Sequence, residues 1–164
     1  MKFNYYGFKA IYVHEMNRFL RTVGQSLLSP VISTSLYFVV FGSVIGGYIE
    51  KIDGVSYGSY IVPGLLMLTL LTQSISNTSF GIFFPKFNGT INEILAAPIS
   101  TLETVLAFVG AGATKTLMVG TVIFITASFF AEVTVMYPIL MIFLLVLVSF
   151  TFALFGFLIG VVSK

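Results

Sequence analysis

From Pro138 to Val162 the chain runs 25 residues, PILMIFLLVLVSFTFALFGFLIGVV, without one charged side chain. The hydrocarbon core of a bilayer takes about 20 apolar residues of helix, and a helix apolar on every face has no side to turn to water. Three further runs are long and predominantly apolar: Leu27–Tyr48, Ile61–Phe84 and Thr104–Phe130, the last with a single charge, Lys115. Strands of a membrane barrel would alternate polar and apolar over about ten residues, and these runs do not. The pattern predicts an all-α membrane protein, a polytopic bundle with spans near 27–48, 61–84, 104–130 and 138–162. Composition agrees: 57% of residues are hydrophobic, only 9% are charged, and the mean hydropathy is +1.04. Soluble domains carry about 25% charged residues.

Several chemistries are excluded. Without cysteine there is no disulfide framework, Cys-ligated zinc or thiol nucleophile, and one histidine, His14, cannot build a His-cluster metal site. The net charge of +2 forms no basic stripe for nucleic acid, and no GxxxxGK[ST] loop is present to cradle ATP. No span gathers Asp, Glu, His and Ser as a membrane-embedded enzyme would need. The first apolar run follows a long polar-aromatic N-terminus, unlike a removable secretory signal.

Lysines and arginines set the expected orientation. Lys2, Lys9, Arg18 and Arg21 precede span one, Lys86 lies between spans two and three, and Lys164 follows span four. The 49–59 loop, IEKIDGVSYGS, offsets Lys51 with Glu50 and Asp53, and the AEVTVMY loop has no positive residue. The positive-inside rule therefore puts the N-terminus, the second loop and Lys164 in the cytoplasm. Within residues 5–22, apolar Phe8, Ile11, Tyr12, Phe19 and Leu20 interleave at helical spacing with Lys9, His14, Glu15, Asn17, Arg18 and Arg21. That is an amphipathic helix suited to the lipid headgroup plane, or one packed on the membrane domain.

Polar residues inside the spans raise two questions. Thr69, Gln73, Ser76 and Asn77 fall on one face of span two. Such a face either lines a wet pathway or hydrogen-bonds a neighbouring helix. Lys115 lies about three turns into span three; it either snorkels to the cytoplasmic side or serves a pathway or an ion pair, with Glu103 too far along the axis to be its partner. Small residues at packing spacing (Gly42 and Gly46, Gly156 and Gly160, with Gly110 and Gly112) argue for close helix contacts, and Pro30 and Pro63 sit near span entrances.

Between spans two and three lies FFPKFNGTINEILAAPIS, polar among oily neighbours. Ile91, Ile94 and Leu95 supply apolar positions i, i+3 and i+4, and Pro98 stops the helix, so the segment is either a short docking helix or an interfacial turn.

In order, HEMNRFLRTVGQSLLSPVISTSLYFVVFGSVIG, YIVPGLLML, KFNGTINEILAAPIS and GAGATK resemble the membrane subunits of ABC-2 type transporters. The third stretch is the most specific. The family carries a glutamate-bearing GT(L/I)xx(L/I)LxxPIS-like element after span two, which Gly89, Thr90, Ile91, Glu93, Ile94, Leu95, Pro98, Ile99 and Ser100 fit. Many relatives have more charge before the glycine than FPKFN. The resemblance implies a permease subunit of an exporter in the bacterial inner membrane, working as a homodimer and moving a drug, lipid or glycan. It implies a separate nucleotide-binding ATPase that holds ATP and Mg, with no cofactor in this chain and a coupling helix at about 88–98 docking on that ATPase. It also implies six spans, so the chain looks like the first two-thirds of such a permease. The rival reading is a membrane scaffold or channel-like protein with no ATPase.

Overall fold

The computed structural model describes residues 3–45, 51–52, 54–133 and 135–163. Its elements are α1 (Tyr5–Arg21), α2 (Val23–Tyr37) with a π-helical continuation over Phe38–Ile45, α3 (Tyr57–Phe87), α4 (Ile91–Ala96), α5 (Thr101–Phe130) and α6 (Pro138–Val162). Two-residue strands, β1 (Lys51–Ile52) and β2 (Val55–Ser56), pair antiparallel ahead of α3, with Gly54 turning at φ 83°. Val23–Gly42, α3, α5 and α6 are each long and apolar enough to cross a membrane. The chain is thus an all-α polytopic bundle. The far end of the expected first span (residues 46–48), Gly46, Asp53 and Lys164 lie outside the described residues.

α6 spans the residues the hydropathy indicates, whereas three other helices begin three or four residues earlier. Their first turns are polar, and those of α3 and α5 are capped. Ser56 Oγ accepts from Ser59 N at 3.3 Å ahead of α3. Ahead of α5, Ser100 and Glu103 form a reciprocal capping box, which satisfies two backbone N–H groups otherwise left free at a helix start. Pro30 and Pro63 consequently lie within α2 and α3 rather than at their entrances.

α5 is the core of the bundle, packed by α1, α2, α3 and α6. Small residues (Ala107, Ala111, Gly112, Ala113) let its neighbours approach. The most apolar helix, α6, buries only a stripe of Ser149, Ala153, Gly156 and Gly160. Lipid is as apolar as leucine, so large side chains gain little by leaving it, and small residues make the helix contacts. A Cβ on Gly156 would lie 2.6 Å from the Ile75 carbonyl oxygen, and one on Gly160 2.8 Å from that of Ser79. The α3–α6 contact is therefore backbone against backbone.

α1 packs lengthwise on α5. Its buried positions Ile11, Glu15 and Phe19 form one stripe at i, i+4 and i+8. Partners advance in step along both helices: Asn4 meets Glu103, Tyr12 meets Thr114 and Glu15 meets Lys115. Asn4 to Glu15 is 11 residues and Glu103 to Lys115 is 12, so the two helices run parallel.

Candidate functional site

Two features carry chemistry, one at the α4 end of the bundle and one about midway along α5. The first is the anchored α4 segment. Gly89, at φ 77°, reverses the chain after α3, a left-handed conformation that favours glycine. Thr90 Oγ1 reaches back to the Pro85 carbonyl at 3.4 Å. α4 follows for six residues, and Ala97 and Pro98 lead to the α5 cap.

The apolar positions of α4 do not share one face. Ile94, with Ile99 beyond it, packs on Ile11, Ile82, Ala107 and Phe108, so it serves the bundle rather than a partner. Leu95 is 73% exposed, Ile91 is half-buried and Glu93 is exposed. Phe87, at the end of α3, is also turned outward.

Asn4 ties this segment to α1. Its side-chain amide donates to the Pro98 carbonyl at 3.2 Å, while its side-chain oxygen caps α1 by accepting from Gly7 N. Its backbone N–H donates to Glu103 Oε1 at 2.6 Å, and Glu103 Oε2 accepts from Ser100 N at 2.8 Å. Gly7 lies so close to Ile99 that a Cβ there would be 2.8 Å from Cγ1. On the other side, Lys86 Nζ donates to the carbonyls of Gly160, Val161 and Ser163, closing the C-terminal end of α6. α4 is therefore flanked by attachments to α1, α5 and α6.

The second feature is a buried ion cluster. Lys115 Nζ and Arg18 Nη2 each donate to Glu15 Oε2 at 2.8 Å. The Lys115 and Glu15 side chains are each 3% exposed, and Arg18 is 31% exposed. Lys115 therefore pairs with α1 rather than snorkelling. Glu15, which its neighbours in sequence place on the polar side of α1, lies on the buried stripe instead. The signal is present in the sequence: Glu15 stands four residues from both Ile11 and Phe19. His14 is largely solvent-facing.

Thr69, Gln73, Ser76 and Asn77 line grooves between α2 and α3. Thr69 donates to Leu65 O, and Asn77 Nδ2 to Gln73 Oε1 at 3.4 Å, both within α3. Besides the Lys86 contacts at the end of α6, a buried hydrogen bond joins α3 to α6: Ser74 Oγ donates to the Ser149 carbonyl at 2.7 Å with both residues buried. A larger cavity, about 430 Å³, lies at the other end of α3 and is lined mainly by apolar side chains.

The ABC-2 type transporter family matches residues 6–164. The inner membrane transport permease YadH of Escherichia coli strain K12 is 37% identical over 156 residues, covering 95% of this chain and 61% of that protein. The permeases of the same name from Escherichia coli O157:H7 and Shigella flexneri match to the same extent. The chain thus spans 61% of the length of these curated relatives. No solved structure gives a significant match. With nearly its whole length matched, including both the anchored α4 segment and the ion cluster, the chain belongs to the ABC-2 type transporter family.

Proposed function

We propose that this chain is part of the permease subunit of an ABC-2 exporter, which moves its substrate outward on power from a separate ATPase. One observation supports the coupling role beyond family membership: α4 is tethered to the bundle on one side and bare on the other. A helix that receives a push transmits it only if it is fastened to what must move. Ile94 and Ile99 fasten α4 and its exit to α1 and α5, and Asn4 bridges Pro98 to Glu103. Leu95 and Phe87 remain outward as apolar contacts for a partner. ATP and Mg are held by the partner ATPase, in keeping with the family to which the chain belongs.

The setting is the bacterial inner membrane, in keeping with the names of the relatives, with two permease copies and two ATPase copies per transporter. The positive-inside rule, applied to Lys9, Arg18 and Arg21, supports a cytoplasmic N-terminus and α4 end. The substrate belongs to the drug, lipid or glycan class. Purification from cells should bring down a nucleotide-binding ATPase; transport by a preparation free of one would favour the scaffold or channel reading. Single cysteines in this cysteine-free chain should label at Glu132 from outside and at Asn88 only from inside.

A further inference from the structure

We propose that a cavity beside the ion cluster binds a phosphate-bearing anion. The cavity is about 190 Å³ and opens where the α1–α2 junction faces α3. Its polar lining comes from four helices and the junction between two of them: Arg18 of α1, Thr22 between α1 and α2, Ser26 of α2, Ser76 and Asn77 of α3, and Lys115 of α5.

Charge is the first argument. Arg18 and Lys115 contribute +2 and their shared carboxylate, Glu15, contributes −1, leaving +1. A surplus cation beside the buried Glu15–Lys115 pair is costly, and an anion in the cavity would offset it.

Hydrogen-bond capacity is the second. Lys115 has three N–H donors and spends one on Glu15; Arg18 has five and spends one. The Ser26 and Ser76 hydroxyls make no hydrogen bond among the described residues, and the Asn77 amide holds only its long bond to Gln73. Glu15 Oε1 is a buried acceptor without a hydrogen-bond partner, yet the spare N–H groups of Arg18 and Lys115 alone outnumber it, and the donors approach from different helices. A planar carboxylate presents two oxygens in one plane, whereas a phosphate presents acceptors in several directions and suits the guanidinium fork. The phosphate could be a lipid headgroup or free phosphate. Nothing in this site depends on the transport reading.

The test titrates the full chain in maltoside micelles with dioctanoyl phosphatidic acid, with inorganic phosphate, and with dioctanoylglycerol as the phosphate-free control. Saturable binding of a phosphate compound but not of dioctanoylglycerol is expected. Arg18→Gln should weaken it about tenfold, the loss of one charge-assisted hydrogen bond. Ser76→Leu, at a position open to the surface, should block it by filling the cavity without unfolding the chain. Glu15→Gln should strengthen binding severalfold by raising the local charge to +2, a gain that a purely structural ion cluster would not give. Inorganic phosphate competing as well as the lipid would identify free phosphate as the ligand; failure to compete would identify the headgroup. The proposal is overturned if neither phosphate compound binds saturably. It is equally overturned if binding is indifferent to both Arg18→Gln and Ser76→Leu in variants whose thermal unfolding matches the parent.

Discussion

Lys115 Nζ stands 2.8 Å from Glu15 Oε2, closing a contact between residues 100 positions apart in the chain. Both side chains are almost wholly removed from solvent. The pair fixes how far α1 slides along α5, because a shift of one turn would bury each charge without its partner. Removing one partner of a buried pair typically costs about 3–5 kcal/mol, whereas replacing both with apolar residues is often neutral. Lys115→Met leaves Glu15 with Arg18 alone, so a loss near the low end, about 3 kcal/mol, is expected. The double variant Glu15→Leu, Lys115→Met should recover most of it. Chemical unfolding in micelles measures both, and additivity of the single losses would show that the pair does not act as a unit.

How much of the structure is legible in the sequence depends on whether one element or several set the outcome. α6 is legible residue for residue because nothing but hydropathy defines its ends. α3 and α5 begin in polar turns that hydropathy counts as loop but caps hold as helix. The choice between Ile94 and Leu95 is not legible. α4 has six residues, and the side it turns to the bundle is set by Asn4 holding Pro98 and by Ile99 against Gly7. The burial of Glu15 is legible in part: its spacing from Ile11 and Phe19 puts it on the buried stripe, but the charge is tolerable there only beside Lys115, which belongs to another helix.

The buried hydrogen bond between α3 and α6 is hidden among serines. Gln73 and Asn77 are the more conspicuous polar residues, but Ser74 faces Ser149 because the glycine stripe of α6 selects that side of α3. Ser74→Ala should therefore destabilise the bundle by about 0.6–1.7 kcal/mol, the range of interhelical hydrogen bonds in membranes. The double variant Gln73→Leu, Asn77→Leu should cost less, since its hydrogen bonds stay within one helix. Parallel unfolding measurements check the order; a reversed order would mean that the polar face of α3 is packed against something other than α2.

Gly156 tests the backbone contact. Gly156→Ala pushes a methyl into the Ile75 carbonyl, which cannot swing aside as a side chain could. Overpacking of this kind costs about 1–3 kcal/mol. Gly64, also in a helix interior, has open space around it: a methyl group there would meet nothing within 4 Å. Gly64→Ala should therefore stabilise by about 0.5–1 kcal/mol. Opposite signs for the two substitutions are the expected result in thermal unfolding.

The central claim is that α4 passes motion from an ATPase to the bundle, and Leu95 is its cleanest probe. Ile94→Asp would put a carboxylate against Ile11 and Phe108 and damage the permease itself. Leu95→Asp lies outside that packing, so insertion and folding should be unchanged. A carboxylate buried without a partner at the docking surface costs several kcal/mol, more than a small apolar contact returns. Glu93→Ala, at the rim, should weaken docking by only about 0.2–1 kcal/mol. The decisive measurement is recovery of the ATPase by affinity-purified wild-type and Leu95→Asp permease at equal expression. Loss of the ATPase from Leu95→Asp, with the permease still folded, is what the account predicts; equal recovery by the two proteins would contradict it.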